Sequence, residues 1–281
     1  MSALLRFAPS PNGYLHLGHA YSALRTAHWA EQLGGTMLLR IEDIDTTRCK
    51  PEFTAAIFED LHWLGLGWPE PVIVQSERFE IYRQAAARLQ LMGLLYPCFC
   101  TRAEIAAHAV GTDPDGAPLY PGTCRHIAAA TRERRVAAGE RPAWRLDMQA
   151  ALARSGPLAY PLMSAEEPLI TESIKVQPER WGDVTIVRKE TPTSYHLSVV
   201  VDDAAQEITH VTRGKDMEAA TDIHVLLQRL LGLGTPAYGF HRLQLDSDGR
   251  KFAKSRQSRS LRDLRRQGWS AQDVRRAIGF A

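Results

Sequence analysis

His16 and His19 bracket Leu17-Gly18 at the end of the run Pro9-Ser10-Pro11-Asn12-Gly13-Tyr14-Leu15. An apolar stretch, Leu4 to Ala8, precedes this run and a helical pattern follows it, which places it on a turn from a strand into a helix. A helix start presents unpaired N–H groups and the positive end of the helix dipole, and so favours an anion. Imidazole N–H groups there can donate to phosphate oxygens, and Gly18 lets a nucleotide approach the backbone closely. Near the other end, Lys251-Phe252-Ala253-Lys254-Ser255 follows the turn Asp246-Ser247-Asp248-Gly249. Two ammonium groups and a hydroxyl on such a loop can neutralise charge that develops at a phosphoryl centre. Each segment alone is also what a surface histidine pair or a solvated lysine loop looks like. No Gly-x-x-x-x-Gly-Lys or Gly-x-Gly-x-x-Gly phosphate loop occurs in the chain.

A second group of residues points to metal. Cys98-x-Cys100 is followed, beyond a 19-residue loop, by Tyr120-x-x-x-Cys124. Such clustering in a cytosolic chain favours metal over disulfide. Three thiolates can hold zinc, but a closed structural site takes a fourth ligand. Spacing alone leaves His108, His126 and Tyr120 open for that role, and three buried cysteines without metal are the plainer alternative. Cys49 stands apart and receives no role.

The elements that must position these groups follow from periodicity. Leu4 to Ala8 reads as a buried strand. A helix from about Gly18 to Leu33 ends at Gly34-Gly35, and Thr36 to Ile41 is the next strand. Strand, helix, strand at this spacing is a βαβ unit with parallel strands. Pro51 opens a further helix, and another runs from about Glu77 to Met92. Thr101-x-x-Glu104 is a capping box that marks a helix start. Strands are expected at Val184 to Val187, Tyr195 to Val201, Glu207 to Thr212 and Phe240 to Leu245, with a helix from about Ala219 to Leu231. Leu261, Leu264, Val274 and Ile278 give the end of the chain a helical pattern among many arginines. The texture change near Tyr96 sets three expected parts. Residues 1–96 form the first half of a nucleotide-binding domain, 97–180 an inserted module with the cysteine site, and 181–281 the second half with the lysine loop and basic C-terminus.

With 281 residues, 44% hydrophobic and 23% charged, the chain has the makeup of a globular protein with room for one large α/β domain. No apolar run approaches the roughly 20 residues of a membrane helix. Pro9 and Pro11 break the short apolar N-terminus, so no secretory signal is read there and a cytoplasmic location is expected. Net charge is only +2, yet Arg242 to Arg276 holds 11 Lys/Arg against 4 Asp/Glu. A basic end suits a polyanion such as RNA, and equally a solubilising tail.

Taken together, His-x-Gly-His and Lys-x-x-Lys-Ser resemble the two signatures of class I aminoacyl-tRNA synthetases. Arg6-Phe7-Ala8-Pro9-Ser10, Arg40-Ile41-Glu42-Asp43, Tyr195-His196 and Arg213-Gly214-Lys215-Asp216 resemble the glutamyl/glutaminyl branch in particular. The motifs occur in order over nearly the whole chain. Leu17 stands where that family usually has Ile, and Lys-Phe-Ala-Lys-Ser replaces Lys-Met-Ser-Lys-Ser; both changes keep the charged residues. Only 26 residues follow Ser255, too few for the anticodon-binding domain of full-length relatives. That truncation, with a Cys-x-Cys, Tyr-x-x-x-Cys zinc site, resembles the glutamyl-queuosine tRNA(Asp) synthetase family.

The resemblance implies a Rossmann-like α/β fold with a parallel sheet and an inserted zinc module. It implies ATP-dependent activation of L-glutamate, then transfer to queuosine in the anticodon of tRNA(Asp), with Mg²⁺ accompanying ATP. His16, His19 and Lys254 become the catalytic groups. Gly18, Lys251 and Ser255 join them around ATP. Arg6 and Arg213 take the glutamate side-chain carboxylate, with the Tyr195 hydroxyl beside them. Glu42 faces the α-ammonium, and Phe7, Ala8, Pro9 and Ser10 the main-chain end. Tyr120 completes a structural zinc site with Cys98, Cys100 and Cys124. Two other functions fit parts of this pattern. One is an enzyme that charges a tRNA 3′ end; the other is a non-catalytic, zinc-stabilised RNA-binding paralogue, against which the intact histidines and lysine speak.

Overall fold

A computed structural model of the chain describes residues 2–164, 166–244 and 259–280. It begins with β1 (Leu4–Phe7), α1 (Leu17–Gln32) and β2 (Thr36–Ile41), and β1 and β2 pair in parallel, Arg6 opposite Leu38. Gly34, at φ +59, takes the left-handed position after α1, and Gly35 N–H closes the cap on Ala30 O at 2.8 Å. After α2 (Pro51–Trp63), β3 (Ile73–Val74) adds in parallel to β2.

Three later strands continue this sheet. β9 (His210–Gly214) and β10 (Ala237–His241) pair in parallel, with α8 (Thr221–Leu231) between them in the chain. β9 lies against β1, where Thr209 N–H donates to Leu4 O at 2.9 Å and Leu4 N–H to Thr209 Oγ1 at 2.8 Å. The spatial order is therefore β3-β2-β1-β9-β10, and β6 (Ala159–Met163) follows, parallel to β10. From β1 the chain winds one way and from β9 the other. The crevice between their carboxyl ends is the switch point where open α/β sheets bind ligands.

Alternation along the strands sends side chains to two cores. Leu5, Met37 and Leu39 join a cluster with α1, α2 and two short helices, α9 (Leu261–Arg266) and α10 (Ala271–Ala277). Leu4 and Leu38 face the other cluster, with α3 (Phe79–Leu91), α7 (Tyr195–Ala205) and α8. Close packing of α1 on the sheet requires Gly239: a Cβ there would lie 2.4 Å from the Trp29 ring.

Between β3 and β9 the chain builds a small antiparallel sheet, β4 (Leu95–Cys98), β5 (Ala143–Leu146) and β8 (Thr185–Val187), in the order β4-β5-β8. The hairpin of β6 and β7 (Ile170–Lys175) lies in the same interval, as do α4 (Arg102–Ala107), α5 (Ala129–Ala137) and α6 (Met148–Ser155). The Thr101/Glu104 capping box forms as the sequence implies.

One local expectation fails. Tyr195 to Val201 reads as a strand because it is rich in β-branched residues, yet it opens helix α7. Leu197, Ser198, Val199 and Val200 are all buried, so no polar face reveals the helical period. The helical pattern expected at the C-terminus forms, as two short helices. Gly268 turns between them at φ +84, and Ser260/Asp263 and Ser270/Asp273 form their capping boxes.

Candidate functional site

A cleft of about 620 Å³ opens at the carboxyl ends of β1, β2, β9 and β10. Arg6, Phe7, Ala8, Pro9 and Ser10 line it from β1 and the loop beyond, and Glu42 from the end of β2. Arg213 and Gly214 come from β9, His16, Gly18 and His19 from the start of α1, and Tyr195 from the start of α7. Every described glutamate- or ATP-site residue expected from the sequence thus meets at one cavity. Lys251, Lys254 and Ser255 lie outside the described residues. On one side of that segment, Leu243 and Gln244 line the cleft. On the other, Ser260 bridges to His16, and Leu261 N–H donates to Leu15 O at 2.7 Å.

The histidine turn has a defined protonation pattern. His16 is the N-cap of α1, and its Nδ1 accepts from Gly18 N–H at 3.1 Å. His19 Nδ1 accepts from His16 N–H at 3.2 Å. Two Nδ1 acceptors put the ring protons on Nε2, the tautomer that a donor to an anionic oxygen requires. The same hydrogen bonds satisfy helix-start N–H groups, so the two histidines also shape the turn.

Arg6 and Glu42 do not pair with each other. Arg6, Arg40 and Glu42 occupy alternate positions on the strand faces that look toward α7, and there they meet Asp203. Arg6 Nε donates to Asp203 Oδ1 at 2.9 Å, and Arg40 NH1 donates to the same oxygen at 2.8 Å. Arg40 NH2 donates to Glu42 Oε1 at 3.0 Å. Burial works to raise the Asp203 pKa, but Arg6 and Arg40 hold it below the usual carboxylate range. Burial alone would lower Arg40, while Asp203 and Glu42 keep it raised. At Glu42 burial prevails and pushes the carboxyl up, against Arg40 and Arg6. An ammonium group arriving at Glu42 would relieve that penalty. Only Nε of Arg6 is tied to Asp203, so its terminal nitrogens remain for a ligand in the cleft.

Arg213 is held from the other side. Its NH1 donates to His224 Nδ1 at 3.1 Å and its NH2 to Thr221 Oγ1, both on α8. Its guanidinium lies 5.2 Å from the Tyr238 ring and 5.7 Å from the Phe240 ring. The cleft therefore gathers two buried arginines near one buried carboxylate, beside a pair of neutral histidine donors. That arrangement can seat a small dicarboxylate carrying an ammonium next to a polyphosphate. Burial raises the Tyr195 pKa, which keeps its phenol a neutral donor.

Sequence reasoning missed Asp203, His224 and Thr221, and the cleft residues Asn12, Ser22, Thr212 and His241. Reading Tyr195 onward as a helix would have found Asp203: Tyr195, Val199 and Asp203 are spaced four apart and share one face.

Away from the cleft, the Sγ atoms of Cys98, Cys100 and Cys124 lie within 4.8 Å of one another. Zinc–sulfur bonds of about 2.3 Å at tetrahedral angles separate sulfurs by about 3.8 Å, so the spacing fits. The Tyr120 hydroxyl lies 3.7 Å from Cys100 Sγ and accepts from Cys124 N–H at 2.8 Å. Of the three side chains that spacing left open, Tyr120 is the one beside the sulfurs. His108 is exposed and its Nδ1 is bonded to Glu104 O at 2.9 Å; His126 is exposed as well.

Comparison with known proteins bears on the whole chain. The model of the family "tRNA synthetases class I (E and Q), catalytic domain" matches residues 3–279. A glutamyl-Q tRNA(Asp) synthetase of Rhodobacter capsulatus is 45% identical over 99% of this chain and 100% of its own length. A second protein of that name, from Symbiobacterium thermophilum, is 40% identical over 96% of this chain and 83% of its own. Among solved structures, a glutamate tRNA ligase from Elizabethkingia meningosepticum in complex with its amino acid superposes with a TM-score of 0.73 at 26% identity. The match covers 96% of this chain and 54% of that one, so the chain spans about half the length of that ligase. No helix among the described residues is long and apolar enough to cross a membrane.

Proposed function

This chain belongs to the family of class I tRNA synthetases (E and Q) in their catalytic domain, and from that premise we propose that it activates L-glutamate with ATP and transfers it to queuosine in the anticodon of tRNA(Asp). The observation that carries the reading is the cleft itself. Two buried arginines and a buried glutamate stand beside the histidine turn, in a chain 45% identical to a protein of that named activity.

In the first step the glutamate α-carboxylate attacks the α-phosphorus of ATP. An O–P bond forms, the bond to the β-phosphate oxygen breaks, and pyrophosphate leaves. Arg6 and Arg213 take the side-chain carboxylate, Tyr195 donates beside them, and Glu42 accepts from the α-ammonium. Phe7, Ala8, Pro9 and Ser10 enclose the main-chain end. His16 and His19 donate from Nε2 to phosphate oxygens, and Gly18 lets the nucleotide lie against the backbone. Lys251, Lys254 and Ser255 belong to the same machinery by sequence. Mg²⁺ bound with ATP adds positive charge at the phosphates. In the second step a hydroxyl of the queuosine cyclopentenediol attacks the glutamyl carbonyl, an ester forms, and AMP departs. Proximity and a good leaving group drive this step.

The division into residues 1–96, 97–180 and 181–281 goes with this reading, as does a structural zinc held by Cys98, Cys100, Tyr120 and Cys124 in the middle part. Purified without chelator, the protein is expected to carry one zinc per chain by elemental analysis. Chelation is expected to open residues 97–125 to hydrogen exchange before the nucleotide core unfolds, because all four ligands lie there. Metal-free protein from such a preparation would remove the zinc assignment.

The activity is tested by glutamate-dependent exchange of pyrophosphate into ATP without tRNA, which is expected to be positive. Its absence would favour a non-catalytic RNA-binding role. Lys254→Ala is expected to lower the exchange rate about a hundredfold, the worth of a charge-assisted contact made mainly in the transition state, at unchanged thermal unfolding. Wild-type exchange by that variant would show that Lys254 is not the phosphate lysine.

A further inference from the structure

Behind Arg213, away from the cleft opening, lies a chain of buried and half-buried polar side chains that the two-step chemistry does not use. Arg213 NH1 donates to His224 Nδ1 at 3.1 Å, and His224 Nε2 lies 3.3 Å from His196 Nδ1. Guanidinium has no acceptor, so His224 Nδ1 must be unprotonated to receive it. The proton of His224 then sits on Nε2 and points at His196 Nδ1, which accepts, and the proton of His196 sits on its Nε2. The order of donors runs one way, from Arg213 through His224 to His196. Burial favours the neutral rings this order needs: it lowers the His224 pKa strongly, aided by Arg213, and brings that of His196 to about 4. Thr221, one turn before His224 on α8, accepts from Arg213 NH2. The His224 ring also lies 5.4 Å from that of Tyr195, so one imidazole backs two of the side chains that face glutamate.

We propose that His224, with Thr221, is a positioning residue that sets the orientation of Arg213 and thereby the preference of the cleft for glutamate over glutamine. The proposal rests on the glutamate reading of the cleft. A guanidinium has several ways to lie in a pocket of this size, and only some present two N–H groups to a carboxylate. Anchoring NH1 and NH2 by two acceptors on one helix turn fixes the guanidinium plane and leaves one proton on each nitrogen for a ligand. Both anchors are uncharged, so Arg213 keeps its full charge for the ligand. A carboxylate anchor there would form an ion pair with Arg213 and compete with the substrate.

The test is steady-state pyrophosphate exchange by His224→Leu, His224→Asn and Thr221→Val, each checked for folding by thermal unfolding. His224→Leu removes the acceptor and is expected to raise the glutamate KM roughly tenfold or more, the worth of a hydrogen bond to a charged group. The ATP KM is expected to stay within about twofold, and the ratio of glutamate to glutamine kcat/KM to fall by a similar factor. Asn can place its Oδ1 near the position of Nδ1, so His224→Asn is expected to restore most of the loss. Thr221→Val, nearly isosteric, is expected to show the same pattern more weakly, and it decides the question if His224→Leu does not fold. Folded variants with wild-type glutamate KM and wild-type discrimination would overturn the proposal. So would equal rises in the glutamate and ATP KM, which indicate a general loosening of the cleft. A wild-type protein inactive in glutamate exchange would instead overturn the glutamate reading.

Discussion

Transfer RNA(Asp) from cells that cannot make queuosine is expected to accept no glutamate from this protein, while the same tRNA carrying queuosine is labelled by radioactive glutamate and ATP. The expected effect is all or none for a chemical reason. The adenylate carbonyl needs a nucleophilic hydroxyl, and an unmodified guanine base presents none, whereas the cyclopentenediol of queuosine presents two. Nuclease digestion is expected to recover the label on the anticodon nucleotide, and enzymatic trimming of the 3′ adenosine is expected to leave acceptance intact. Loss of acceptance after trimming alone would make the 3′ end the acceptor. Phosphate contacts dominate affinity for a folded RNA, so acceptance at limiting tRNA is also expected to fall steeply with salt.

Glutamine is expected to support exchange with a kcat/KM about ten-thousandfold below that of glutamate, the range reached when a buried site is built for a polar group that the analogue lacks. Arg6 and Arg213 are only 6% and 7% exposed. Neither can turn to water when the ligand fails to neutralise it, and a carboxamide offers one acceptor oxygen and no charge. Asp203 already engages Arg6 and His224 engages Arg213, so each guanidinium is fixed with part of its donor set committed. Comparable kcat/KM values for the two amino acids would remove Arg6 and Arg213 from the side-chain site.

The two predictions draw on different levels of the molecule. Linear motifs indicated the chemistry, because phosphate handling depends on groups that sit together in sequence. His16, Gly18 and His19 occupy one helix start, where unpaired N–H groups and the helix dipole favour an anion. The βαβ opening was legible for the same kind of reason. Thr36–Ile41 is a strand over the residues its apolar run predicts, and α1 lies within one residue of its expected ends. The cysteine spacing indicated metal, but only the fold brought Tyr120 beside the sulfurs and left His108 and His126 outside.

By itself, then, the amino-acid sequence determined the nucleotide-binding character of the chain, its parallel βαβ start, and the residue types that line the cleft. What it could not determine is what holds those residues. Asp203 lies 197 positions from Arg6 and 163 from Arg40, in a segment whose β-branched residues disguise a helix buried on most sides. His224 and Thr221 reach Arg213 only because β9 and α8 pack against one another. Local periodicity records which way a side chain points, and it carries no record of which distant element will stand opposite. Tertiary structure alone decided that each buried arginine lining the cleft would have a fixed partner behind it: a carboxylate for Arg6, and a neutral imidazole with a hydroxyl for Arg213.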